Sequence, residues 1–376
     1  MTVRAALLGT LLLLGACAAV PDRGLPSSAA IDARARELMA RERVTGMAVA
    51  VIDEGEIVHV GTYGLRNAER RLPLETDTIM YGASLTKAAF AYMVMQLVDE
   101  GRLELDRSIA DYLPRPLPDY EGYEGLAGDE RWRRLTPRII LNHSTGLANL
   151  RVLEPDRKLR FHWDPGARYG YSGEGFWILQ TVLEEGLGLD VGAEIQRRVF
   201  DRFKMTRTSM RWRDDFAGNL ADGYAMDGSF EPHDRRDNVA AAGSMDTTIA
   251  DQARLWAGMV RGDGLSAAAR AELVRPQFDI PFAHQFPTLA DATDPRAGAI
   301  GLSAALGVVT VRDKGGLLWF KGGHNDWTGN MAVCQEARRR CVVFLANSVR
   351  AELVYPELLR FILGETAMPW WWEYNR

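Results

Sequence analysis

The sequence is short of cysteine, of long apolar runs and of basic charge, and each shortage excludes a class of protein. Three cysteines in 376 residues exclude a small disulfide-built scaffold. Beyond residue 20, no uninterrupted apolar run reaches the roughly 18 residues that a membrane-spanning helix needs. A formal net charge of −5 gives no general basic surface, so we expect no nucleic-acid partner. With 47% hydrophobic residues, the chain has enough apolar side chains to bury a globular core.

Several widespread catalytic and ligand-binding motifs are also missing. There is no His-Glu-x-x-His pair, and the six histidines are scattered without ligand spacing, so we predict no metal and no cofactor. No phosphate-binding Walker loop is present, and no Gly-x-Gly-x-x-Gly follows a strand. The segment around Ser84 lacks the second glycine of a Gly-x-Ser-x-Gly elbow.

The first residues have the composition of an export signal. A short basic start, residues 1–4, precedes an apolar run of ten residues, 5–14, which is too short to cross a bilayer. The run ends in Leu-Gly-Ala-Cys at 14–17, which is similar to a bacterial lipobox. We therefore predict a signal peptide over 1–16, lipidation of Cys17, a flexible tether over 17–30, and a periplasmic protein with a membrane tether. Ordinary cleavage near Cys17 without a lipid is the alternative, and it also predicts export.

The two remaining cysteines follow and precede a predicted turn. Cys334 ends one strand-like run and Cys341 begins the next. Disulfides persist in exported proteins, so a cross-strand bridge is one interpretation and two free buried thiols are the other. Neither cysteine has a catalytic context.

Strand patterns occur at both ends of the chain and helical patterns in the middle. This order predicts an α+β fold in which antiparallel strands from both ends share one sheet, with helices on its faces. The catalytic domain is predicted over 31–368, with its α/β part at 31–83 and 240–365 and an inserted all-helical part at 84–239.

The C-terminal part of the sequence contains strand patterns and a tryptophan-rich tail. One continuous strand is predicted from Ala304 to Val311, and another over Leu317–Phe320. The tryptophan-rich tail, 369–376, is predicted to pack in a groove on its own domain. The alternative is contact with a membrane interface, where tryptophan is enriched.

The segment Ser-Leu-Thr-Lys at 84–87 is the strongest candidate for chemistry. Ser84 opens a helix that is apolar nearly all round, and a buried helix places its first turn inside the molecule. The spacing of three puts Lys87 on the same face as Ser84. A lysine in an apolar site loses its proton readily and can activate a serine. The alternative is a serine that caps the helix, followed by a solvated lysine.

Two later segments complete a known pattern. Tyr171 lies in a loop just before a helix, and Lys-Gly-Gly-His at 321–324 follows a strand-like run. With 84–87, these segments resemble the serine β-lactamase and penicillin-binding protein family, in particular class C β-lactamases, D,D-peptidases and related esterases. The resemblance extends over about 31–365 and implies a β-lactamase/transpeptidase-like fold. Further matching stretches lie at 138–147, 203–209 and 241–251.

The resemblance also implies roles for individual residues. Ser84 matches the nucleophile that forms the acyl-enzyme, and Lys87 matches its hydrogen-bonding partner. Tyr171 matches the general base and acid, either as a phenolate with a lowered pKa or in a proton relay with the lysine. Lys321 matches the residue that supplies positive charge. The backbone N–H groups of Ser84 and His324 would form the oxyanion hole.

Several neighbouring residues also have expected roles. Gly322 and Gly323 are expected to let substrate approach the strand closely. Asp326 is expected to line the pocket. His143 matches a position that we interpret as structural. The side chain of His324 is either an acid near the oxyanion hole or has no role beyond its backbone.

Two departures from the family pattern concern the substrate. Gly173 stands where the family has the asparagine of Tyr-x-Asn, and Gly322 stands where it has the threonine of Lys-Thr-Gly. Both losses weaken the case for β-lactam or peptide recognition and favour an ester or an unusual amide.

The sequence thus predicts an exported serine hydrolase that acts on a small-molecule or peptide substrate. A β-lactamase or D,D-carboxypeptidase is a second hypothesis, and an inactive module that binds peptidoglycan or a partner is a third. The oligomeric state is not predicted.

Overall fold

The structure, a computed structural model, describes residues 24–375. The predicted signal peptide and the lipidation site Cys17 lie outside this range. The tether was predicted too long, because a helix already begins at Ser28, where the hydroxyl of Ser27 accepts a hydrogen bond from the N–H of Ala30 at 3.2 Å. Within 24–375, no helix has both the length and the apolar character needed to cross a membrane.

The helices and strands of the described residues are numbered in chain order. The α-helices are α1 (Ser28–Glu42), α2 (Leu85–Asp99), α3 (Pro137–Leu141), α4 (Gly173–Thr181), α5 (Val191–Ile195), α6 (Ile249–Arg261), α7 (Ala267–Val274), α8 (Pro295–Ala299), α9 (Tyr355–Leu363) and α10 (Trp370–Tyr374). The strands are β1 (Gly46–Asp53), β2 (Glu56–Asn67), β3 (Leu72–Pro73), β4 (Met80–Tyr81), β5 (Gly223–Tyr224), β6 (Phe230–Glu231), β7 (Asp246–Thr247), β8 (Phe278–Asp279), β9 (Ser303–Ala304), β10 (Val309–Asp313), β11 (Gly316–His324), β12 (Gly329–Gln335) and β13 (Arg340–Ala346).

A nine-stranded antiparallel sheet, in the order β3-β2-β1-β13-β12-β11-β10-β9-β8, forms the centre of the fold. The prediction that strands from both ends share one sheet is confirmed, because β1 pairs directly with β13, with Met47 opposite Ala346. Strand β1 reads as a continuous apolar run because both of its faces are buried. Its side chains alternate between two hydrophobic cores, with Ala48 in one and Val49 in the other.

Helices cover both faces of this sheet, as the predicted α/β sandwich requires. Helices α2 and α6 belong to the core on one face, and α1 and α9 belong to the core on the other. Helix α2 is buried along nearly its whole length, from Leu85 to Leu97. Its N-terminus therefore lies inside the molecule, as its apolar sequence predicts.

Two predictions of local structure were wrong. The inserted part, 84–239, is not all helical, because β5 and β6 form a small antiparallel pair within it. The segment 304–311 is not one strand, because a tight turn separates β9 from β10, with the N–H of Ala305 bonded to Val308 O at 2.9 Å. Gly307 adopts the left-handed φ of 79° in this turn, and a Cβ there would lie only 2.5 Å from Cβ of Ala91 on α2.

The last two cysteines form a disulfide. Cys334 on β12 and Cys341 on β13 are directly opposite in the register, with their Cα atoms 4.1 Å apart. Of the two interpretations of this pair, the cross-strand bridge is therefore the one that the structure contains.

The tryptophan-rich tail packs against the sheet face that carries α1 and α9. Trp372 on α10 is fully buried, and its ring contacts those of Phe320 and Tyr169. The backbone N–H of Gln285 donates to Trp372 O at 3.0 Å. The tail thus occupies a groove on its own domain and brings Glu373 next to β11.

Candidate active site

Ser84 stands at the N-terminus of α2, immediately after a conformationally strained residue. Ala83 has a left-handed φ of 46°, which a residue with a side chain seldom adopts outside a site that demands it. The Ser84 hydroxyl makes no capping bond to the helix backbone. The alternative of a simple capping serine is therefore wrong, and the hydroxyl is available to the groups around it.

Lys87 lies one turn along α2 and is almost completely buried. Its Nζ is 3.1 Å from Ser84 Oγ and donates to the carbonyl oxygen of Ala242 at 2.6 Å. Burial, together with the positive charge of Lys321, holds the pKa of Lys87 well below its ordinary value. A neutral amine in this position can accept the proton of the serine hydroxyl.

Tyr171 reaches the same hydroxyl from the loop that precedes α4. Its phenol interacts with the Ser84 side chain, and Nζ of Lys321 lies 3.3 Å from the phenol oxygen. Burial raises the pKa of Tyr171, although the nearby Ser84 side chain opposes this shift. The expectation of a lowered phenol pKa was wrong, because burial disfavours the charged phenolate and the charge of Glu373 acts in the same direction. This environment favours the relay with Lys87 over a free phenolate.

His143 supports the tyrosine from behind. The two rings stack with their centroids 4.3 Å apart, and Nδ1 of His143 accepts the backbone N–H of Ser172 at 3.1 Å. Burial, and then the charges of Lys87 and Lys321, hold the pKa of His143 well below its ordinary value. A neutral, buried ring in this place fits the structural role predicted from the sequence.

The end of β11 forms the opposite wall of the site. Phe320 is the last residue of β11 that pairs with β10, so 321–324 leave one strand edge open toward the cleft. A Cβ at Gly323 would lie 3.0 Å from the backbone N of Ser84 and 2.9 Å from Gly82 O. Only glycine at 323 lets the strand pass this close to the start of α2, and the expected close approach of substrate to the two glycines stays a prediction.

The side chain of His324 lies beside a carboxylate. Its Nδ1 is 3.4 Å from a carboxylate oxygen of Glu352, and burial would lower its pKa. The interaction with Glu352, together with the charge of Glu373, outweighs burial and raises the pKa of His324 overall. This arrangement favours the interpretation in which His324 contributes its backbone to the site.

A cleft of about 540 Å³ joins these groups. Eight predicted site residues line it: Ser84, Lys87, Tyr171, Gly173, Lys321, Gly322, Gly323 and His324. Asp326 does not, since the chain turns after β11, with Asn325 N–H bonded to Thr328 O at 3.0 Å, and leaves Asp326 exposed to solvent. Within 24–375, no group of three or more potential metal ligands comes together.

Sequence reasoning missed several lining residues, of which Asn149, Trp177, Phe286 and Glu373 are the most prominent. Asn149 lies beside position 173, where its Oδ1 accepts the Gly173 N–H at 3.0 Å. A Cβ at 173 would lie 3.4 Å from this oxygen. The nearby matching stretch at 138–147 was the only sequence signal for Asn149. The other three residues come from segments that carried no site motif.

A buried amine of lowered pKa and a phenol thus lie beside one serine hydroxyl, in an accessible cleft next to a glycine-rich strand edge. The chain matches the Beta-lactamase family model over residues 31–363, and it therefore belongs to this family.

Curated relatives and solved structures agree with this assignment. A D-aminopeptidase of Gluconobacter oxydans is 27% identical over 48% of this chain and 35% of its own length. The esterase EstB of Burkholderia gladioli is 27% identical over 46% of this chain and 48% of its own. The chain thus spans about half or less of the length of these relatives. A class C β-lactamase structure, 16% identical, superposes with a TM-score of 0.70 over 88% of this chain and 95% of its own, which shows the fold.

Proposed function

We propose that this enzyme hydrolyses a carboxylic ester, or an amide of similar reactivity, through an acyl-enzyme on Ser84. The observation that carries the proposal is the contact between Ser84 Oγ and Lys87 Nζ at 3.1 Å, in surroundings that keep the amine neutral. The neutral amine provides the base that a serine hydroxyl requires at neutral pH.

In the first step, Ser84 Oγ attacks the carbonyl carbon while its proton passes to Lys87. The backbone N–H groups of Ser84 and His324 stabilise the oxygen that gains negative charge. As the bond to the leaving group breaks, the Lys87 ammonium and the Tyr171 phenol pass the proton to the departing oxygen or nitrogen. In the second step, water loses a proton to the same pair, attacks the acyl carbon and releases Ser84 with its hydroxyl restored.

An ester or a reactive amide fits the walls of the cleft better than a β-lactam does. Gly173 and Gly322 present no side chain, so neither position offers the amide or hydroxyl of the family pattern. The esterase and the D-aminopeptidase among the relatives support the same class. Asn149 provides one amide beside Gly173, which keeps a β-lactamase or D,D-carboxypeptidase activity as the second candidate.

Intact-mass measurement of acyl adducts tests this proposal. The protein is mixed with a short-chain nitrophenyl ester, an anilide, a cephalosporin and a D-alanyl-D-alanine peptide, and adduct formation and turnover are followed. We expect an adduct on Ser84 with the ester, and faster turnover of the ester than of the lactam or peptide. The control is Ser229→Ala, an exposed serine, whereas Ser84→Ala must abolish both signals.

Absence of any adduct in this experiment would favour the third hypothesis, a binding module without catalysis. Faster turnover of the cephalosporin or the peptide than of the ester would favour the second. Each of the three hypotheses therefore corresponds to a different result.

We also propose that the protein is exported and lipid-anchored through Cys17. The disulfide between Cys334 and Cys341 supports an oxidising compartment. Metabolic labelling with a fatty acid analogue should modify the protein, and Cys17→Ala should abolish the label. Labelling that persists in Cys17→Ala would contradict the anchor, and recovery of the intact chain with residue 1 in the cytoplasm would contradict export.

A further inference from the structure

The C-terminal tail contributes a carboxylate to the cleft. Helix α10 places Glu373 among the lining residues, although it is 49 residues beyond His324 in the sequence. The residue is only 4% exposed, and its backbone N–H donates to Pro369 O at 3.0 Å, which fixes the turn that carries it. The carboxylate is therefore a fixed part of the cleft wall.

The position of this carboxylate depends on the glycine at 322. A Cβ on Gly322 would overlap Oε1 of Glu373, so any larger residue at 322 must displace the carboxylate. The other residue near that Cβ site is Met331, whose methyl carbon, at 3.3 Å, is also the end of a flexible side chain. The glycine thus leaves a space next to the open edge of β11, and the tail carboxylate occupies it.

One oxygen of this carboxylate has no hydrogen-bond donor. Oε2 of Glu373 is buried, and no group in residues 24–375 donates to it. Burial raises the pKa of Glu373, and the charge of Glu352 acts in the same direction, whereas the positive charges of His324 and Lys321 favour the carboxylate. Nζ of Lys321 is bound elsewhere, to Gly322 O at 2.6 Å and to the Tyr171 phenol at 3.3 Å.

A buried acceptor without a donor is costly, and a substrate that supplies the donor recovers that cost on binding. An ammonium group is the donor that a carboxylate binds most strongly, and the unpartnered Oε2 of Glu373 offers it an acceptor. The positive charges of Lys321 and His324 oppose this attraction, so the preference depends on the direct hydrogen bond to Oε2. The part of the cleft formed by Glu373 therefore discriminates between substrates by their hydrogen-bond donors as well as by their shape.

We propose that Glu373 forms an ammonium-binding subsite, and that the acyl donors of this enzyme carry a primary ammonium group, as aminoacyl esters and amides do. This inference rests on the proposed acyl transfer at Ser84, which it deepens by naming the substrate class. The rival role for Glu373 is that of a counter-ion to Lys321, which would affect all substrates alike.

Binding to a catalytically silent protein tests the subsite without requiring turnover. In the Ser84→Ala background, calorimetry compares alanyl 4-nitroanilide, in both enantiomers, with isobutyryl 4-nitroanilide, in which a methyl group replaces the ammonium. We expect at least one alanyl ligand to bind about 10- to 100-fold tighter than the isobutyryl ligand, the range for one hydrogen bond to a charged group. Adding Glu373→Gln should bring the two affinities within about threefold.

Two further variants make this result specific. Gly322→Ala keeps the charge of Glu373 but displaces its carboxylate, so it should reduce the preference for the alanyl ligands as Glu373→Gln does. Because this substitution lies outside the tail, it tests the subsite even if Glu373→Gln disturbs the packing of the tail. Glu365→Gln, whose side chain is 75% exposed on the preceding segment, should keep the full preference. The near-ultraviolet spectrum of the buried Trp372 shows in each variant that the tail remains docked.

The same binding measurements can also contradict the inference. If the Ser84→Ala protein binds the isobutyryl ligand as tightly as both alanyl ligands, or if the preference survives Glu373→Gln and Gly322→Ala, no ammonium subsite exists at Glu373. Turnover of esters by the enzyme with Ser84 intact tests the proposed function separately, so failure of the subsite and failure of the acyl transfer give different results.

Discussion

Lys87 Nζ lies 3.1 Å from Ser84 Oγ, and the same nitrogen is held by the carbonyl oxygen of Ala242 at 2.6 Å. The carbonyl fixes the amine, while burial and the charge of Lys321 remove its proton. The position of the Lys87 amine and its neutral state thus have one cause, which is the burial of the apolar N-terminal turn of α2 beside the edge of the sheet.

Removing the amine should abolish activation of the serine without unfolding the protein. We expect Lys87→Ala to lower kcat/KM for a nitrophenyl ester by about 10²- to 10⁴-fold, the usual contribution of a general base. Steady-state kinetics measure the loss, and a melting curve checks the fold. The exposed lysine variant Lys314→Ala serves as control. A Lys87→Ala enzyme within about tenfold of the parent would show that another group is the base.

The dependence of activity on pH should be bell-shaped, and deprotonation of Lys321 should cause the fall at alkaline pH. Activity rises with pH as Lys87 loses its proton, and the lowered pKa of Lys87 puts this rise well below the ordinary range of lysine. Activity falls as Lys321 loses its charge, and burial lowers the pKa of Lys321 to about 8. In Lys321→Arg, whose guanidinium stays protonated, the alkaline fall should move upward or disappear. An unchanged alkaline limb in that variant would exclude Lys321 as its origin.

The close passage of β11 beside α2 should not tolerate a side chain. In Gly323→Ala, the new Cβ meets backbone atoms of Ser84, Leu85 and Gly82 at 3.0 Å or less, so the strand edge must move away from the nucleophile. We expect kcat to fall by about 100-fold, as for loss of one oxyanion donor. Gly315→Ala, where a Cβ meets nothing within 4 Å, is the matched control and should keep full activity. Equal kcat values in the two variants would refute the close-passage argument.

The disulfide should contribute to stability and not to catalysis. Cys334 is opposite Trp319 on β11, five residues before the His324 end that lines the cleft. Replacing both Cys334 and Cys341 by alanine should lower the free energy of unfolding by about 2–3 kcal/mol, as expected for a short closed loop. Denaturant titration measures this loss, and ester hydrolysis at low denaturant should be unchanged. A change in kcat without a change in stability would contradict the assignment.

The main elements of the fold and the central residues of the site could be predicted from the sequence because both have local sequence patterns. The helix with Ser84 and Lys87 is apolar all round, so its burial is visible in its sequence, and β1 and β13 read as buried strands for the same reason. The break between β9 and β10 was missed, because a tight turn through Gly307 leaves the apolar run uninterrupted. Asp326 was placed in the pocket on proximity in sequence alone, and one turn moved it out.

The missed parts of the site depend on tertiary structure. Glu373 lies in a tail that resembles a packing or membrane segment, and only its contact with Gly322 reveals a role in the cleft. The phenol pKa was misjudged because burial of Tyr171 disfavours the charged phenolate, and burial also lowers the pKa of Lys87, one of the two expected ammonium groups. Such effects depend on solvent exclusion, which sequence spacing does not report.

The most direct test of the account is the site and rate of labelling by a fluorophosphonate, which requires an activated hydroxyl and no particular substrate. We predict a single adduct that peptide mass spectrometry places on Ser84, formed at least about 100-fold more slowly in Lys87→Ala. An adduct on another residue, or equal labelling rates with and without the Lys87 amine, would contradict the account.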